Sequence, residues 1–206
     1  MPKTIATVNP KGGVGKTTVA IHLAVAAHRA GHQVTLLSAD PQGSALDWHG
    51  RTPDGYDGPV VKQLQGNRTL AAAIGQARSD IVIIDSPARL DQQTGRVLTN
   101  SDLALVPIRL SVLDLWGTAE FLEVLREHVG RGLKAAFVGS QRDLRTNLSG
   151  ELDETLSQLD PPLLRGLSLR VSYARSISEG KTVLDGPDTT AAGEVETLYS
   201  DAAGLL

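Results

Sequence analysis

Between Pro10 and Thr18 the chain reads Pro-Lys-Gly-Gly-Val-Gly-Lys-Thr-Thr, and these residue types at this spacing suit phosphate chemistry. Gly12, Gly13 and Gly15, with Val14 among them, allow positive φ and let backbone N–H groups converge on anionic oxygens with no Cβ in the way. A helix opening at Lys16, Thr17 and Thr18 adds the positive end of its dipole. Lys16 is placed to neutralise the β- and γ-phosphates of a nucleotide, and the Thr17 hydroxyl to ligate Mg²⁺. The standard phosphate loop begins with glycine where this chain has Pro10, and this loop gains a second lysine, Lys11. The plainer alternative is a glycine-rich turn that only joins a strand to a helix; Gly-Lys-Thr-Thr in that setting argues against it.

Other candidates carry less chemistry. His28 and His32 are four residues apart, but Gly31 intervenes, and helix-end solvation fits them better than metal binding. Trp48 and Trp116 read as packing or interface residues, and Asp153 with Glu154 as a solvated helix face. No Ser–His–Asp arrangement has local support. Zero cysteines exclude disulfide frameworks, thiolate nucleophiles and cysteine-ligated zinc or iron–sulfur clusters.

A phosphate loop needs a strand before it and a helix after it. Thr4 to Val8 reads as that strand, and the helix runs from about Thr17 to Ala30, with Gly31 placed to stop it. Further strands are expected at Val34–Leu37, Ile81–Ile84, Leu103–Val106, Ala135–Val138 and Leu167–Val171. Helices are expected near Thr69–Arg78, Asp114–His128, Glu151–Leu159 and Thr190–Leu205, and Arg51–Pro59 is a loop by its Pro, Gly and Asp content. Ile81–Ile84 (IVII) is apolar throughout, as in a strand buried on both faces. Strand–helix alternation over residues 1–206 predicts an α/β fold, a single domain with one doubly wound, mostly parallel sheet and helices on both faces. Ligands of such sheets bind beyond the C-terminal ends of the strands. The glycine loop follows Val8, Asp40 follows Leu37 and Asp85 follows Ile84.

The chain has 206 residues, 20 Lys+Arg against 23 Asp+Glu, a net charge of −3 and 41% hydrophobic residues. That is enough for a sizeable core and argues against disorder. No apolar run approaches the ~20 residues that span a bilayer, and no secretory segment opens the chain, so a cytoplasmic protein is expected. Residues 126–181 carry a net +2, whereas 182–206 hold five acidic residues and no basic one. Contact with a nucleic acid would need a local patch, for which Arg142, Arg145, Arg165, Arg170 and Arg175 are candidates.

The loop with its second lysine resembles the deviant Walker A box of the ParA/MinD superfamily of ATPases. The resemblance extends through Asp40-Pro41-Gln42, Ile83-Ile84-Asp85-Ser86-Pro87, Leu105-Val106-Pro107 with Asp114-Leu115-Trp116-Gly117, and Gly180-Lys181-Thr182-Val183. It implies a P-loop NTPase fold, ATP and Mg²⁺ as cofactors, and a homodimer formed when ATP is bound. Lys11 would reach across that dimer to the partner's phosphates, acting with Lys16 and Asp40 in hydrolysis. Asp85 fits the Walker B aspartate that holds Mg²⁺ through water, and Asp40 the switch aspartate that organises the hydrolytic water and the metal shell. The plainer alternatives are a strand-end Asp for Asp85, an Asx turn for Asp40 and a solvated lysine for Lys11. Many relatives carry Asp where this chain has Ser38. Ser140 or Gln141 is a candidate for the purine edge, and ATP rather than GTP rests on the family alone.

The resemblance points to partitioning of a plasmid or chromosome, with nonspecific nucleoid DNA and a centromere-binding adaptor protein as partners. The same motor could instead position a protein cargo, such as a chemotaxis cluster or cellulose synthase. A membrane-cycling MinD-like regulator is disfavoured, because the acidic residues 193–206 would be repelled by anionic lipid.

Overall fold

Ile81–Ile84 and Leu103–Val106 carry no polar residue to mark a solvent face, and the chain buries both runs on both sides. The computed structural model describes residues 1–64, 69–109, 119–142 and 161–206. In chain order its elements are β1 (Lys3–Thr7), α1 (Lys16–Arg29), β2 (Val34–Ser38), α2 (Ser44–His49), β3 (Val60–Gln63), α3 (Leu70–Gly75), β4 (Ile81–Asp85) and α4 (Gln92–Thr99). There follow β5 (Leu103–Ile108), α5 (Ala119–Val129), β6 (Lys134–Arg142), β7 (Leu163–Ser168), α6 (Val171–Ser178), a 3₁₀ turn (Val183–Asp185) and α7 (Thr189–Leu205). The seven strands form one sheet in the order β3-β2-β4-β1-β5-β6-β7, and every pairing is parallel. Successive residues of a strand point to opposite faces. Ile5, Ile81, Ile83, Leu103 and Leu105 accordingly pack with α1 and α7. Ala6, Val82, Ile84, Ala104 and Val106 pack with Leu70, Val97, Leu98, Phe121 and Leu125 from α3, α4 and α5. This is the doubly wound α/β architecture expected from the sequence, with every pairing parallel.

Register fixes what stands at the top of the sheet. Thr7 lies opposite Asp85 across β1 and β4, and Ser38 lies opposite Asp85 across β2 and β4. The glycine loop leaves β1 and the Asp40 loop leaves β2, so both open beside Asp85. Helix α1 begins at Lys16, one residue earlier than expected, and Thr69 caps α3 by accepting from the Ala72 N–H.

Two departures from the sequence reading stand out, and the first has a local cause. The strand expected at Leu167–Val171 is Leu163–Ser168 instead: Leu163 and Leu164 pair with Phe137 and Val138, and Val171 already opens α6. Strand β3 follows directly on the Arg51–Pro59 loop, and helices α2, α4 and α6 are additional. Of the helix expected over 114–128, residues 114–118 lie outside the described residues; so do Trp116, Arg145 and the helix expected over 151–159.

The Gly180-Lys181-Thr182-Val183 motif closes one face of the molecule. Trp48 of α2 donates its indole N–H to the Lys181 carbonyl at 2.9 Å. Thr182 and Asp185 form a reciprocal capping box on the 3₁₀ turn. Asp185 also accepts from Tyr56 at 3.0 Å and pairs with Arg29 of α1. His22, buried in α1, accepts the Val183 N–H at its Nε2, 3.2 Å away, while its Nδ1 lies 2.8 Å from the Thr18 carbonyl. Among the described residues, no helix is long and apolar enough to cross a membrane.

Candidate functional site

The glycine loop is held open by side chains outside it. Asn9 donates to the Pro107 carbonyl at 2.8 Å and accepts the Lys11 N–H at 2.9 Å, tying the start of the loop to the end of β5. The Gly13 carbonyl takes two donors, Arg109 at 2.6 Å and Gln141 at 2.9 Å. Holding that carbonyl by side chains keeps a repulsive oxygen away from an anion's place. Gly15 caps α1 at φ +93°, and a Cβ built there would meet the Ser140 hydroxyl at 2.6 Å. No side chain caps α1, so its first N–H groups remain for a ligand. Gly12 is exposed, Val14 is buried, and Lys11 and Thr18 are half-buried.

Lys16 is buried and donates its ammonium to the Lys11 carbonyl at 2.8 Å. Burial holds it below the ordinary lysine range, while Asp85 and Asp40 work the other way. Thr17 donates its hydroxyl to Asp85 Oδ2 at 2.9 Å. Asp85 is 0% exposed, and its Oδ1 is a buried oxygen with no hydrogen-bond partner. Burial pushes the Asp85 carboxyl up to about 7; the Thr17 hydrogen bond lowers it, Asp40 raises it and Lys16 lowers it. An orphaned buried carboxylate oxygen is costly, and a cation would relieve it. Thr17 and Asp85 suit Mg²⁺, which takes few protein ligands and keeps waters and phosphate oxygens. Among the described residues, no group of three or more His, Cys, Asp or Glu side chains forms a denser metal set.

Asp40 lies half-buried at the end of the neighbouring strand, close enough to influence both Asp85 and Lys16. Its Oδ1 accepts the Gln42 N–H at 2.9 Å. That is an Asx turn, and it engages one of the two carboxylate oxygens. The structure therefore brings Lys16, Thr17, Asp40 and Asp85 into one charged cluster beneath Gly12–Gly15.

Beside the loop a cavity of about 300 Å³ is lined by Gly15, Thr18, Ser140, Gln141, Arg170 and Tyr173, with the Leu167–Leu169 turn. Its β7–α6 wall escaped the sequence reading, because nothing local marks a turn that becomes a wall only when β7 joins the sheet. Asn9 and Arg109 were missed for the same reason: their partners are the Pro107 and Gly13 carbonyls, about a hundred residues away in sequence. Of the basic candidates, Arg170 is spent internally, bonding Ser168 at 2.9 Å and pairing with Asp188 at 3.5 Å and Glu194 at 3.9 Å. Arg165 and Arg175 are exposed, while the Arg142 carbonyl accepts the Leu169 N–H. His28 bonds Asp57 at 2.8 Å, and the His32 ring stands edge-on to Tyr199, so neither histidine belongs to the cluster.

A parallel sheet with a lysine-bearing glycine loop and a buried carboxylate at its C-terminal edge defines a nucleotide-binding protein, and residues 5–183 match the CobQ/CobB/MinD/ParA nucleotide binding domain. The chain belongs to that family, the ParA/MinD superfamily. It is 29% identical over 207 residues to the "Maintenance of carboxysome distribution protein A" of Halothiobacillus neapolitanus, covering 96% of this chain and 95% of that one. It is 30% identical over 155 residues to the "Chromosome-partitioning ATPase Soj" of Thermus thermophilus, covering 61% of this chain and 62% of Soj. In fold it is similar to the cobyrinic acid a,c-diamide synthase of Mycobacterium smegmatis solved with an ATP analogue and magnesium. That likeness has a TM-score of 0.77 at 20% identity, over 97% of this chain and 93% of the synthase.

Proposed function

We propose that this chain is a Mg²⁺-dependent ATPase of the ParA type that dimerises on ATP, binds DNA without sequence preference, and releases both on hydrolysis. The observation that carries the reading is the Thr17–Asp85 pair with its unsatisfied Asp85 Oδ1 under the glycine loop. The neighbour solved with an ATP analogue and magnesium supports the choice of ligands. Gly12, Gly13, Val14 and Gly15 present backbone N–H groups to the phosphates, and Thr18 continues the helix end that faces them. Lys16 exchanges its bond to the Lys11 carbonyl for the β- and γ-phosphates. Thr17 and Asp85 would hold Mg²⁺, which would neutralise phosphate charge, and Asp40 would help organise the shell around it. Asp40 orients the attacking water. Lys11 contributes its charge across the homodimer, stabilising transition-state charge as trans arginines do in other phosphoryl transfers.

The cargo reading is partition of a plasmid or chromosome through a centromere-binding adaptor, with the protein associated with the nucleoid. The Soj relative supports it. A protein cargo is the second reading, favoured by the carboxysome distribution relative that matches nearly end to end. In either case the DNA serves as the matrix and the adaptor stimulates hydrolysis.

Binding to a nonspecific duplex with no nucleotide, with ADP and with a slowly hydrolysed ATP analogue tests the reading, with Lys16→Ala alongside. Expected is binding with the analogue alone, lost in Lys16→Ala and falling with salt at about −0.9 in log–log slope per phosphate neutralised. Affinity indifferent to both salt and nucleotide would defeat the DNA-matrix reading.

A further inference from the structure

Two glutamines that belong to none of the sequence motifs hold the loop that carries Asp40. Gln93, in the first turn of α4, donates its amide to the Ala39 carbonyl at 3.0 Å. Gln63, the last residue of edge strand β3, donates its amide to the Asp40 carbonyl at 3.0 Å. The Gly43 N–H donates to that same carbonyl at 3.1 Å, so Gln63 shares it with the turn's own backbone, and Ser38 adds a longer contact of 3.4 Å. The Ala39 carbonyl lies in the peptide plane entering Asp40, and the Asp40 carbonyl in the plane leaving it. Peptide units are rigid planes, so fixing both leaves the Asp40 Cα–Cβ direction little freedom. Both side chains line one surface cavity of about 840 Å³ that Leu64, Leu70 and Arg96 also border, so each has open space beside it. The contacts that join them to the Asp40 loop are the two amide hydrogen bonds.

We infer that Gln63 and Gln93 are positioning residues for Asp40, fixing the two peptide planes that flank it so that its carboxylate is aimed at the phosphate loop. The inference rests on Asp40 being the residue that orients the hydrolytic water. Neither glutamine reaches the phosphates; both act through the direction of the Asp40 side chain. Losing either donor should therefore slow the chemical step and leave nucleotide affinity nearly unchanged.

The test is ATP hydrolysis by Gln63→Ala, Gln93→Ala and Gln93→Glu, with Asp40→Ala as reference and thermal midpoints recorded for each. Each alanine variant should lose about fivefold to tenfold in kcat, with KM for ATP within about twofold of the parent. Gln93→Glu is close in shape but turns a donor into a charged acceptor facing a carbonyl. It should be slower than Gln93→Ala near pH 8. Its rate relative to the parent should rise as pH falls from about 6 toward the free-glutamate value of about 4.3, because a growing fraction of the acid is then protonated and donates again. A purely structural role would move the midpoint without that pH-dependent ratio. Slow Asp40→Ala beside alanine variants at the parental kcat would overturn the inference and leave Asp40 in place. A Gln93→Glu deficit that is flat with pH would overturn the donor role. Parental turnover in Asp40→Ala would remove the reading of Asp40 itself.

Discussion

His22 shows how one buried side chain can set the acid limit of the protein. Its Nε2 accepts the Val183 N–H, so Nδ1 carries the proton and donates to the Thr18 carbonyl. Only the neutral ring fits both partners, since a second proton would set an N–H against an N–H. Burial accordingly pushes its pKa down to about 4, with the Thr18 hydrogen bond and Asp185 opposing. The Tyr173 ring packs edge-on at 5.2 Å and brings no compensating charge. A depressed folded pKa means that stability is fully present above the free-histidine value of 6.5 and is lost as pH falls from there through about 4. The full loss is about 3 kcal/mol. His22→Gln can keep an acceptor and a donor without titrating. Buried Asp85, raised to about 7, takes up a proton over the same range and moves parent and variant alike, so from about pH 6.5 to 5 the parent's midpoint should drop by several degrees relative to that of His22→Gln; equal slopes would show that His22 is not the acid trigger.

At the scale of elements, the Gly180–Val183 segment acts as a strap joining α1, α2 and α6. Gly180 sits at φ +69°, and a Cβ there would lie 2.1 Å from the Arg51 carbonyl. Two backbones meet with no side chain able to yield, so Gly180→Ala should cost more than about 2 kcal/mol in chemical denaturation. Trp48→Phe removes the indole donor to Lys181 together with part of a fully buried ring, so about 2 kcal/mol is expected from the lost bond and the space left behind. A Gly180→Ala chain as stable as the parent would show that the backbone contact is not limiting.

The same contrast explains which elements were legible beforehand. Ile81–Asp85 and the α1 sequence announce themselves, because central strands and a buried helix carry unbroken apolar runs. The glycine loop is legible for a related reason, since its chemistry is local in sequence. β3 and α2 are four and six residues long, too short for a period to emerge. β7 was misplaced by a few residues because its ends are set by pairing with β6. Gly180-Lys181-Thr182-Val183 was visible as a motif, but the strap it makes depends on contacts with Trp48, His22 and Arg51 that no local pattern encodes. Gln63, Gln93 and Arg109 were silent for the same reason.

For the whole molecule, the glycine loop, the Asp40 turn and Asp85 leave adjacent strands at one edge of the sheet, and ligand binding there should tie them together. A ligand that binds only the folded state adds RT ln(1 + [L]/Kd) to stability, about 2.7 kcal/mol at a hundredfold excess over Kd. If the bound form also dimerises, the midpoint should acquire a dependence on protein concentration that the nucleotide-free chain lacks. A slowly hydrolysed ATP analogue with Mg²⁺ is therefore expected to raise the midpoint by several degrees and to shift sedimentation toward a dimer. Asp40→Ala should show both effects with ATP itself, because it retains the phosphate loop and loses turnover. Lys16→Ala should show neither. Lys11→Ala separates the two events: its folded state retains Lys16, Thr17 and Asp85, so the ligand-dependent rise should persist while its concentration dependence disappears. A Lys11→Ala chain that still dimerised with the analogue would place the lysine outside the interface and return it to the solvated surface.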